Sequence, residues 1–188
     1  MYFLGLSYRN KSKALSRFIR RSHVSVWKWV QHYKPERISF KRRKISKFII
    51  DETQIKVRQD CFWIWVAIEP IDKVVLGTHI FLERNMLIAT EEFLCILYDK
   101  QIRKTSHHNR DGGTWYPPQT CRFLKIKHRL YSSYEKSIME RTIQSINERT
   151  ESFDDYFPSN KSKCKLQHIR NWFNLFVGSY NRWRQFLS

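Results

Sequence analysis

The sequence predicts an α/β protein: a mixed sheet with helices on its faces, led by a small helical unit. Three observations predict it. Apolar residues recur at helical period in the first thirty-three positions. From position 45 the chain turns to aromatic and β-branched runs joined by short connections. Two long stretches near the end again carry apolar residues along one helical stripe. After the leading unit the order is βββ-α-β-α-β-α-α. A meander followed by strand–helix units gives a mixed sheet, whose strand ends collect polar groups at one edge.

Residues 1–33 read as a helix–turn–helix unit. Ser12 is placed to cap a helix carrying Ala14, Leu15, Phe18 and Ile19. Ser25 is placed to cap a second one, running from Val26 to Tyr33. In a helix-turn-helix reader the second helix enters the major groove. That reading turns Ser25, Lys28, Gln31 and His32 toward DNA. Pro35 ends the pair, and residues 34–44 form a basic linker in which Arg42, Arg43 and Lys44 are candidates for phosphate contact.

Residues 45–188 form the main domain. A first strand covers 45–51, and 54–57 continues it after a short turn. Residues 61–68 and 74–81 are the second and third strands, antiparallel because their connections are short. A helix spans 86–97. A fourth strand leads to Asp111, a short helix starts at Pro117, a fifth strand covers 125–130, and long helices cover 133–150 and 163–187. Cys61 and Cys95 fall in apolar runs and read as small core residues.

Composition narrows the partners. The hydrophobic fraction of 41% supports a core and argues against global disorder. Lys and Arg number 35 against 17 acidic residues, a net charge of +18, which calls for a polyanion; nucleic acid comes before an acidic membrane surface. The four cysteines are scattered without a Cys-x-x-Cys pair, which argues against a zinc site. Neither a signal peptide nor a transmembrane run is expected, and a reducing cytoplasmic location fits.

Three carboxylates stand out. Asp51 closes the apolar run Phe48-Ile49-Ile50, Asp111 opens Asp-Gly-Gly-Thr-Trp-Tyr-Pro, and Glu140 sits at the margin of a helical apolar stripe, between Met139 and Ile143. Carboxylates beside buried elements are uncommon unless paired or metal-bound. Each also has an ordinary reading: a turn aspartate, an Asp-Gly hairpin and a surface glutamate beside Lys136. Glu52, Glu135, Glu148, Asp154 and Asp155 compete with them, Glu135 also suiting a helix start. His107 and His108, in a polar stretch, read as solvated.

The segments Phe48-Ile49-Ile50-Asp51-Glu52-Thr53-Gln54-Ile55-Lys56-Val57, Asp111-Gly112-Gly113-Thr114-Trp115-Tyr116-Pro117 and Glu135-Lys136-Ser137-Ile138-Met139-Glu140-Arg141-Thr142, with His168 to Asn181 as a closing helix, resemble the three-carboxylate (DDE) transposases of compact prokaryotic insertion sequences. The resemblance implies a retroviral-integrase-like, ribonuclease-H-like core in which Asp51, Asp111 and Glu140 are catalytic and hold two Mg²⁺ or Mn²⁺ ions. It implies an activity, phosphodiester cleavage and strand transfer at element ends. It implies partners too: terminal-repeat and target DNA, and further copies of the chain, working beside the nucleoid. The sequence departs from the family where the polar run Thr105-Ser106-His107-His108-Asn109-Arg110 replaces an apolar strand. Two other readings stay open. One is a catalytically impaired remnant that only binds DNA; the other is a metal nuclease that cuts without joining.

Overall fold

The first strand sets the architecture by alternation. β1 (Lys47–Val57) pairs antiparallel with β2 (Asp60–Glu69) from Ile49 to Val57, and β2 pairs antiparallel with β3 (Val74–Phe81). β4 (His107–Arg110) lies parallel to β1, and β5 (Lys127–Leu130) lies parallel to β4. The sheet order is β3-β2-β1-β4-β5. The computed structural model describes residues 7–33, 45, 47–57, 59–82, 86–97, 107–110, 127–130, 132–153 and 166–187.

Because side chains of a strand point alternately to its two faces, β1 serves two cores. Ile49, Ile55 and Val57 face one, together with α4 (Ser133–Thr150) and α5 (Leu166–Leu187). Phe48 and Ile50 face the other, with Phe93, Leu94 and Leu97 of α3 (Met86–Leu97). Gly77 lets α3 come close: a Cβ there would stand 2.9 Å from Cδ2 of Leu97. On the other face Trp172 stacks on Phe176 and meets Phe153 and Phe173 edge-on. The mixed α/β expectation thus holds, with helices on both faces.

Several local expectations are corrected. The first helix is α1 (Tyr8–Leu15), capped by Ser7, whose side chain accepts from Asn10 N; Ser12 lies inside it and donates to Arg21 O. Phe18 and Ile19 therefore fall in the connection and are exposed. The second helix is α2 (His23–His32), capped by Ser22 rather than Ser25, because Ser22 Oγ accepts from Ser25 N at 3.2 Å. β1 runs unbroken through 52–54, since its pairing with β2 takes up Glu52, Thr53 and Gln54 in register. Asp51 is therefore mid-strand and not terminal. Cys61 and Cys95 are exposed, one at the hairpin end of β2 and the other on the outer side of α3. His107 and His108 belong to β4 and not to a loop: backbone pairing on both sides places a polar strand inside the sheet. The helix expected from Pro117 and the linker at 34–44 lie outside the described residues.

The helix pair rests on α5. Tyr8, Val26 and Val30 form a small cluster with Leu15, Trp27 and Leu175. Asn171 of α5 donates through Nδ2 to Gln31 Oε1 at 3.2 Å. Among the described residues no helix is long and apolar enough to cross a membrane.

Candidate active site

Two contacts fix α4 against β1. Near the start of α4, Lys47 Nζ donates to Glu135 Oε1 at 2.8 Å; three turns later Thr53 Oγ1 donates to Asn147 Oδ1 at 3.2 Å. Lys47, Asp51 and Thr53 share the face of β1 that carries Ile49 and Ile55, so Asp51 faces the α4 side between the two contacts. It is half-buried, and its Oδ1 accepts from Glu52 N at 3.0 Å.

Glu140 and Glu135 take different places on α4. Glu135 is fully buried at the third helical position. Its carboxylate accepts from Ser132 N at 2.8 Å while Ser132 Oγ accepts from Glu135 N, which completes a capping box. Burial alone would raise its pKa. The Lys47 hydrogen bond, the Ser132 backbone and hydroxyl donors and the Lys47 charge outweigh that and hold it at about 2. A carboxylate so fully engaged has little left for a metal ion. Glu140 is 63% exposed and makes a loose ion pair with Lys136, 3.8 Å away. It shares a helical stripe with Asn147, seven positions and two turns further on. That stripe touches β1 through Asn147, while Thr142, on another side of α4, meets Tyr180 of α5 at 3.2 Å. Glu140 is therefore on the flank of α4 turned away from α5.

Asp111 lies outside the described residues, as do Arg42, Arg43, Lys44, Asp154 and Asp155. β4 ends at Arg110, its neighbour in sequence, and β4 pairs with β1 so that Asn109 stands beside Ile49. Asp51 follows Ile49 by two positions, as Asp111 follows Asn109 in the sequence. Among the described residues no three His, Cys, Asp or Glu gather to hold a metal ion. Asp51 and Glu140 do supply hard oxygen donors on facing elements, the donor type that suits Mg²⁺ and Mn²⁺.

On the helix pair, Ser25, Lys28, Trp29 and His32 fall at i, i+3, i+4 and i+7, one stripe of α2. Lys28 and His32 are exposed and Trp29 is half exposed, while the buried side of α2 is Val26 and Val30. Gln31, also expected toward DNA, is off this stripe, and its side chain accepts from Asn171 of α5. Trp29 was not among the residues expected to face DNA, because a Trp in a helix reads as core, yet it is 50% exposed on this stripe. Its spacing from Ser25 is what places it on the stripe. Residues 7–33 hold seven Lys and Arg and no acidic residue.

A relative from Methanocaldococcus jannaschii, the uncharacterized protein MJ0017, is 31% identical over 189 residues, spanning 96% of this chain and 82% of that protein. The chain belongs to the MJ0017 family. No protein-family model matches the sequence. Among the solved structures similar to the chain in fold are two. One is a chain of the simian T-cell lymphotropic virus intasome in complex with the PP2A regulatory subunit B56 gamma: TM-score 0.52, 14% identity, 91% of this chain and 65% of that one. The other is the HTLV-2 integrase catalytic core domain in complex with magnesium, in a dimeric form: TM-score 0.52, 17% identity, 71% of this chain and 84% of that one. The chain thus has a retroviral-integrase-like, ribonuclease-H-like fold.

Proposed function

We propose that the chain is a DNA transposase of the three-carboxylate type, cleaving and joining phosphodiesters with Asp51, Asp111 and Glu140 as its catalytic carboxylates. The observation that carries this reading is the parallel β1–β4 register. It sets Ile49 beside Asn109, and in the sequence each of these stands two residues before an aspartate, while Glu140 lies on the neighbouring helix α4. Two Mg²⁺ or Mn²⁺ ions, when bound, would supply an activated attacking oxygen and stabilise the leaving one. The protein's part is to hold carboxylate oxygens on rigid elements, with Glu140 in no more than a loose ion pair among the described residues. Residues 1–33 read element ends through Ser25, Lys28, Trp29 and His32; 34–44 tracks phosphates through Arg42, Arg43 and Lys44; and 45–188 performs the chemistry. Terminal-repeat and target DNA are the partners. A homo-oligomer in the cytoplasm, at the nucleoid, brings two DNA ends together.

The test is a cleavage and strand-transfer assay with Mg²⁺ or Mn²⁺ on DNA flanking the gene. Asp51→Asn, Asp111→Asn and Glu140→Gln should each abolish metal-dependent cleavage while DNA retention persists. Full cleavage by any one of them overturns the triad. Cutting without joining by the unaltered chain selects the nuclease reading, and retention with neither reaction selects the remnant.

A further inference from the structure

The two β1–α4 contacts do more than hold a helix down. The strand between Lys47 and Thr53 covers about 20 Å, and the helix between Glu135 and Asn147 about 18 Å. The two paths match, so α4 runs alongside β1 without slip, pinned near both ends. Asp51 lies between the pins, level with about position 143 of the helix, roughly one turn beyond Glu140. The hydrophobic contacts beneath, among Ile49, Met139 and Ile146, are non-directional and would accept a helix shifted along its axis. A shift of one turn, about 5.4 Å, would change the axial offset between Glu140 and Asp51 from about one turn to about none or about two, according to its direction. The directional contacts are the ones that forbid it.

We infer that Lys47–Glu135 and Thr53–Asn147 are positioning pairs, fixing the axial register of α4 on β1 so that Asp51 and Glu140 engage the same divalent cation. The inference rests on the carboxylate reading above. Thr53 and Asn147 act through Asp51 and Glu140; they hold no metal themselves. Glu135 joins the helix cap to the strand, so the pin at that end also sets where the helix begins.

The test uses the full chain and Mn²⁺ alone, with free Mn²⁺ read by its electron paramagnetic resonance signal at a temperature where every variant is folded. Thr53→Val removes one pin with little change of volume, and Lys47→Met removes the other. Ser22→Ala, which loses a helix cap on α2, is the destabilised control far from β1. Thr53→Val and Lys47→Met should weaken Mn²⁺ binding about tenfold or more, Thr53→Ser should restore it, and Ser22→Ala should leave it at the value of the unaltered chain. If Lys47→Met fails to fold, Thr53→Val and its rescue decide alone. Unchanged affinity in Thr53→Val overturns the inference while leaving the carboxylate site standing. If Asp51→Asn and Glu140→Gln also leave Mn²⁺ binding unchanged, the site itself is absent and the inference falls with it.

Discussion

Asn181 of α5 grips Val75 of β3 by both of its backbone groups: Oδ1 accepts from Val75 N at 2.8 Å, and Nδ2 donates to Val75 O at 2.7 Å. The side chain acts as a short neighbouring strand beside the edge strand, close to where the β2–β3 register shifts between Ala67 and Ile68. Asn181 is fully buried, so its loss strands a donor and an acceptor away from water.

Asn181→Ala should therefore destabilise the protein by about 2–5 kcal/mol, read by urea unfolding. Asn181→Asp should also destabilise, because a buried carboxylate oxygen would then face Val75 O where Nδ2 now donates. Equal stability of Asn181→Ala and the unaltered chain would show that the edge of β3 finds other partners.

Glu135 sets an acid limit on stability. Its folded pKa of about 2 is below its ordinary value of 4.5, so the unfolded chain binds the proton more readily. The contribution is fully present above pH 4.5 and is lost as pH falls toward 2. The stability gap between the unaltered chain and Glu135→Gln, measured by urea unfolding across pH, should narrow over that window. A gap independent of pH would refute the pairing.

Lys11 works in the opposite sense. It is 5% exposed beside the Tyr8 ring, and loss of hydration lowers its pKa from 10.5 to about 8. The unfolded chain holds that proton more tightly, so burying the charge costs stability below pH 8, and the cost fades between 8 and 10.5. Lys11→Met should raise the melting temperature at pH 7, with an advantage that shrinks by pH 10. A constant advantage would assign the gain to packing alone.

Lys73 is the described non-glycine residue with a left-handed backbone, φ 56°, in the turn between β2 and β3. Lys73→Gly should stabilise the hairpin by about 0.5 kcal/mol, measured by thermal unfolding. A loss of stability would show that the Lys side chain outweighs the backbone cost.

The proposed DNA-facing stripe separates two neighbours on α2. Trp29→Ala should weaken retention of duplex DNA about tenfold, roughly 1.4 kcal/mol. Gln31→Ala should leave it within about twofold, because Gln31 serves the contact with α5. A gel-shift titration at fixed salt reads both, and the reverse ranking would restore Gln31 to the groove.

Much of the fold was legible where periodicity was strong. The stripe Met139, Ile143 and Ile146 located α4, and Ser132 with Glu135 closes its start in the structure. The meander followed from short connections. Caps were less legible: Ser7, Ser12, Ser22 and Ser25 are all competent caps, and only the backbone amides they meet decide among them. β4 carried no alternation to read, because neighbouring strands hold it through its main chain. For the candidate site, Asp51 and Glu140 were visible as carboxylates beside apolar residues. The commitment of Glu135 to Lys47 was not, since 88 positions separate them and only the sheet brings them together.

The seat of the helix pair on α5 bears on how the chain divides. One side of α5 closes the sheet's core through Ile169, Phe173 and Phe176; another seats Tyr8, Val26 and Val30 through Leu175. A chain cut within 34–44 would leave each piece with a raw surface: Leu175 and Asn171 uncovered on one, and two short helices with three buried side chains on the other. Helices that short rarely persist without a wall to lean on. The two units are separate in sequence but not in folding, and dissection at the basic segment should yield one sticky fragment and one unfolded one.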